Sequence, residues 1–73
     1  MLPKNAQILL SVVNTKLRDE FKNLEDLCEH YNENVDEIKG LLSSIDYYYN
    51  ENNNQFVHIS VLNKWIHNNY KLL

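Results

Sequence analysis

Two asparagines, Asn23 and Asn34, each stand just before an apolar stripe, and each has an acid three residues further on, Asp26 and Glu37. An asparagine side chain at a helix N-cap accepts a hydrogen bond from the backbone, and an acid at the third helical position suits a capping box. The pair divides the middle of the chain into short helices. The spacing predicts a helix over 24–31, with Leu24, Leu27, Cys28 and Tyr31 on one face. "NEN" at 32–34 reads as a turn. A third helix follows Asn34, with Val35, Ile38, Leu41, Leu42 and Ile45 as its buried stripe and Asp36 and Glu37 in the first turn, where acids suit the helix dipole. Gly40 lowers the helix propensity of this segment, and close approach of another helix is the expected reason for it.

Upstream, residues 5–21 read as a first helix. Ala6, Leu10, Val13, Leu17 and Phe21 recur on one helical face, and Pro3 suits the approach to a helix start. Ile8 and Val12 project from the opposite side. Downstream the period changes to two. "IDYYY" (45–49) and "QFVHI" (55–59) read as strands joined by the polar loop "NENNN" (50–54). Ser60 can cap a last helix to about Tyr70, with Leu62, Trp65 and Ile66 on one face. The expected fold is mainly α with a β-hairpin: three helices in a helix-turn-helix or winged-helix-like arrangement, plus a C-terminal helix. Residues 1–57 form the helix-turn-helix-like unit, and 58–73 an extension packed on the same single domain.

A chain of 73 residues with one cysteine has a thin core and no internal disulfide to staple it. With one Gly and one Pro among the 73 residues, the twelve asparagines must supply many of the turns and caps. The lone cysteine fits a reducing compartment, and neither a signal peptide nor an apolar run long enough for a bilayer is visible, so a cytoplasmic protein is expected. The net charge is −3, and eight acids between Asp19 and Glu37 face Lys22 alone. Such a block disfavours contact with phosphates.

The helix-turn-helix outline nonetheless raises duplex DNA as an alternative target. Its turn has Asn32 and Glu33 where glycine and an apolar residue are usual. The third helix would offer Asn34, Lys39 and Ser43 as contacts, beside the two acids Asp36 and Glu37 and with no arginine to read guanine. Cys28, His30, His58 and His67 have no zinc spacing, so no metal and no cofactor are expected. Ser43 and Ser44 lie in no nucleophile motif, and no glycine-rich loop is present, so no enzyme is expected. The remaining expectation is a non-enzymatic interaction module, binding itself or another protein. Ile8 and Val12, together with Leu62, Trp65 and Ile66, are its candidate contacts, and a homodimer is one form it could take. Asn14, Arg18 and Asp19 are read as a structural polar network, with Asn14 and Arg18 tying the first helix to the chain near Asn23 or to the hairpin.

The segments "LPKN", "LLSVVNTKLRDEF", "NLEDLCEH" and "IDYYYNENNNQF" place Leu2, Pro3, Asn14, Lys16, Leu17, Arg18, Asp19, Glu20, Leu24, Leu27, Cys28, Tyr47, Tyr49, Asn54 and Phe56 in one pattern. Over residues 2–57 it resembles a small bacterial domain-of-unknown-function family. The resemblance implies a compact bacterial cytoplasmic domain and carries no activity with it. Ile45-Asp46 stands where the family pattern has Ile-Gly, and the tail from His58 looks like an extension.

Overall fold

The computed structural model describes residues 2–61. Leu62, Trp65, Ile66 and His67 lie outside the described residues.

Each of the first three helices begins on an asparagine. Asn5 caps α1 (Ala6–Asp19), its Oδ1 accepting from the N–H groups of Gln7 at 3.0 Å and Ile8 at 3.1 Å. Asn23 caps α2 (Leu24–His30), accepting from the Asp26 N–H at 2.8 Å. Asn34 caps α3 (Val35–Ser43), accepting from the Glu37 N–H at 3.1 Å. The caps expected at Asn23 and Asn34 are therefore in place, and each removes an otherwise unpaired helix-end donor. Strands β1 (Tyr47–Asn50) and β2 (Gln55–His58) pair antiparallel, with Tyr47 opposite His58 and Tyr49 opposite Phe56. Residues 59–61 begin a short C-terminal helix. The architecture is the expected one of three helices, a hairpin and a further helix.

The core holds Leu2, Leu9, Val13, Leu17, Leu24, Leu27, Cys28, Ile38, Leu42 and Phe56. On α1 the buried stripe is Leu9, Val13 and Leu17, while Ala6 and Leu10 are only half-buried. Two faces, one through Leu10 and one through Leu9, share Val13 and Leu17, and the periodicity alone cannot separate them. The packing of α1 against both α3 and β2 selects the one through Leu9. Val12 is half-buried and packs against the core, so only Ile8 of the expected pair stands in solvent.

Among the described residues, left-handed backbone occurs at three non-glycine positions: Asn32 (φ 54°), Asp46 (φ 65°) and Asn54 (φ 54°). Asn32 turns the chain between α2 and α3, in the position where a helix-turn-helix usually has glycine. Asp46 turns it out of α3, the aspartate taking up a left-handed backbone that glycine adopts more readily. The turn also moves the strand start. Ile45 still bonds back to the Leu42 carbonyl at 3.2 Å, so β1 begins at Tyr47 and not at Ile45. At the other end of the hairpin, Asn50 is drawn into β1 opposite Gln55, and His58 completes β2.

Gly40 does not mark a close helix contact. It is exposed, and a β-carbon built there meets nothing within 4 Å. Without a packing reason, only the cost to helix propensity remains. Gly40→Ala is expected to raise stability by about 1 kcal/mol, seen as a rise of about 4–8 °C in melting temperature for a domain of this size.

Candidate interaction surface

The position of the hairpin is set by side-chain amides. Asn14, half-buried on α1, points its carboxamide at β2. Its Nδ2 donates to the Phe56 carbonyl at 3.0 Å, and its Oδ1 accepts from the Phe56 N–H at 2.7 Å. One donor and one acceptor side by side imitate the backbone of a neighbouring strand. Gln55 returns the tie, its Nε2 donating to the Asn14 carbonyl at 2.9 Å.

A second knot closes the other end of α1. The Nδ2 of Asn54 donates to the Leu17 carbonyl at 3.0 Å and to the Phe21 carbonyl at 2.9 Å. Its Oδ1 accepts from the Tyr49 hydroxyl at 2.6 Å, and that hydroxyl in turn accepts from the Leu24 N–H at 3.3 Å. A loose carbonyl at the end of α1 and a loose N–H at the start of α2 are thus joined through two hairpin side chains. Burial raises the Tyr49 pKa above the ordinary tyrosine value, outweighing the Leu24 N–H bond that lowers it. Among the described residues, no buried side-chain N or O atom lacks a hydrogen-bond partner.

Of the expected polar network, Asn14 is present, and it ties α1 to the hairpin. Arg18 does not join it. Arg18 lies in solvent, where its Nε donates to Asp19 Oδ1 at 2.8 Å and its Nη2 to Asp19 Oδ2 at 2.9 Å. Arg18 and Asp19 stand about 100° and 200° around the helix from Leu17, so both side chains are exposed while Leu17 is buried. The neighbours that complete the network, Tyr49, Asn54 and Gln55, lie on the hairpin. Because exposed ion pairs contribute little, Arg18→Ala is expected to change stability by no more than about 0.5 kcal/mol, measured by urea denaturation. Lys16 and Glu20, one helical turn apart, pair at 3.0 Å, and Lys16 also sits 5.7 Å from the centre of the Tyr31 ring.

The alternative contacts on α3 are differently placed. The Oδ1 of Asn34 is engaged by the Glu37 N–H, and the Ser43 hydroxyl donates to the Gly40 carbonyl at 2.8 Å. Asp36 and Glu37 are exposed. Lys39 is exposed too and borders an open cleft of about 200 Å³ with Tyr47, Tyr48, Tyr49 and Phe56. Cys28 is buried, and burial first, then the charges of Glu33 and Glu25, pushes its thiol pKa up. Among the described residues no group of three His, Cys, Asp or Glu could hold a metal ion, and no helix is long and apolar enough to cross a membrane.

The two outer edges of the hairpin differ. Phe56 presents its N–H and C=O on the outer edge of β2, where Asn14 occupies both. On the outer edge of β1, no backbone group of Tyr47 or Tyr49 has a partner among the described residues. This open edge borders the cleft. The exposed large apolar side chains among the described residues are Ile8 (56 % exposed), Tyr48 (38 %) and Val61 (56 %).

Residues 3–56 match the model of a family described as "Domain of unknown function (DUF4250)". No curated protein and no solved structure matches the chain.

Proposed function

The chain belongs to the DUF4250 family, and we propose that its domain is a non-enzymatic protein-protein interaction module that self-associates. One observation carries this reading: a strand edge, β1, whose outward backbone groups have no partner among the described residues, beside an open cleft on a hairpin that is firmly tied to the helices. A strand edge is a template for pairing with another chain, and folded proteins commonly guard it when it is not used. Ile8, standing in solvent on α1, is a second apolar contact. Trp65, Leu62 and Ile66 belong to the same reading on sequence grounds.

Duplex DNA is the rival target. It would have to use α3, where Asn34 and Ser43 are engaged in local bonds and Asp36 and Glu37 are exposed. These features favour a protein partner. Light scattering on the purified chain over a concentration series tests the reading. A mass rising from one copy to two is expected, and a strict monomer at high micromolar concentration would contradict it.

A further inference from the structure

In an antiparallel pair, residues alternate between those whose backbone bonds to the partner strand and those whose backbone faces outward. The Ile59 N–H donates to the Asp46 carbonyl at 2.8 Å, which sets the alternation on β1. Asp46, Tyr48 and Asn50 turn toward β2, and Tyr47 and Tyr49 turn away. The Asn14 bonds to Phe56, which lies opposite Tyr49, give the same phase from the other strand. Two N–H and two C=O groups therefore line the outer edge of β1. The cleft is lined by three successive residues of this strand, Tyr47, Tyr48 and Tyr49, together with Lys39 of α3 and Phe56 of β2.

We infer that β1 pairs antiparallel with β1 of a second copy, about a two-fold axis at Tyr48. This names the partner for the interaction reading above and rests on it. The edge is self-complementary in that register. Tyr47 exchanges both hydrogen bonds with the partner's Tyr49, and Tyr49 with the partner's Tyr47, so all four outward groups are satisfied. Tyr48 meets the partner's Tyr48 at a position without ladder bonds, where side chains approach most closely and an aromatic pair is favourable. The same register sets Asp46 opposite Asn50 and Glu51 opposite Ile45, so no acid faces an acid. The strand "YYYN" has neither the lysine nor the proline that commonly guards an edge, whereas the β2 edge is closed by Asn14. The product is a four-stranded sheet with the same patch used on both sides.

Cysteine cross-linking reads the register. Tyr48→Cys, treated with a mild thiol oxidant, is expected to give a covalent dimer, while the parent chain, whose Cys28 is buried, gives none. Tyr48→Lys places two ammonium groups face to face and is expected to weaken association about tenfold or more with an unchanged circular dichroism spectrum. Glu29→Lys, at an exposed position on α2, serves as the comparison and leaves the cross-link in place. A parent chain that dimerises, with Tyr48→Cys failing to cross-link or Tyr48→Lys associating as before, would overturn the β1 register and leave the self-association reading standing. If the parent chain is strictly monomeric, as it would be with its own tail on this edge, both fall.

Discussion

Replacing Asn54 by alanine is expected to destabilise the domain by about 3 kcal/mol, from three lost hydrogen bonds and a left-handed backbone that alanine resists. The substitution removes the donor that serves the Leu17 and Phe21 carbonyls and the acceptor that holds the Tyr49 hydroxyl. It also forces φ 54° on a residue with no local polar compensation. Small domains have few kcal/mol in reserve, so a fall of about 12–24 °C in melting temperature follows. Asn54→Gly separates the two causes, because it keeps the backbone freedom and loses only the bonds. It should be milder than alanine. Equal losses for the two variants would show that the backbone contributes nothing.

The same knot gives a pH dependence. Tyr49 is neutral as a donor to Asn54, and its pKa is raised in the folded state, chiefly by burial. Its contribution is fully present below the unfolded tyrosine pKa. It is lost as pH rises from there through the higher folded value, because the unfolded chain releases the proton first. Urea denaturation above about pH 10 should therefore show a falling midpoint, and Tyr49→Phe should remove this group's share of the slope.

Asn14→Ala should cost about 2 kcal/mol, because it leaves both the N–H and the C=O of Phe56 without partners at a half-buried strand edge. Phe56 is the one hairpin residue in the buried core, so losing its alignment loosens the hairpin against α1. Asn14→Asp tests the geometry. The carboxylate can still accept from the Phe56 N–H but cannot donate to its carbonyl, and it sets a negative charge beside that oxygen. It should be no better than alanine, as measured by the urea midpoint. An aspartate variant with parent-like stability would mean that the donor bond is unimportant. A freed β2 edge also predicts increased aggregation of Asn14→Ala at high concentration.

The parts of the fold that were legible in the sequence are those governed by local chemistry. Asn23 and Asn34 announce their helices through capping, and the change from period 3.6 to period 2 after Ile45 announces the hairpin. The family match covers residues 3–56, the same three helices and most of the hairpin, and Asp46 turns the chain between α3 and β1 in a left-handed conformation. What the sequence left open is tertiary. The choice between Leu9 and Leu10 on α1 depends on where α3 and β2 pack. The partner of Asn14 lies 42 residues away, and nothing near Asn14 specifies whether it meets the hairpin or the chain at Asn23. Arg18, next to the core residue Leu17 in a charged run, invites a structural role that its outward direction denies it. The polar run before Phe56 was the available signal for Asn54, but a loop asparagine is more often a simple turn residue. Gly40 was assigned a packing role from propensity alone, and only three-dimensional placement reveals the open space around it.

The central claim is that the amide ties hold the hairpin with its β1 edge open for a second copy. Amide hydrogen exchange at two protein concentrations tests it most directly. In dilute protein the Tyr47 and Tyr49 amides should exchange rapidly while the Tyr48 amide, bonded to β2, is protected. At high concentration Tyr47 and Tyr49 should become protected as well, in step with the mass measured by light scattering. Rapid exchange of Tyr47 and Tyr49 in a concentrated, demonstrably dimeric sample would contradict the account.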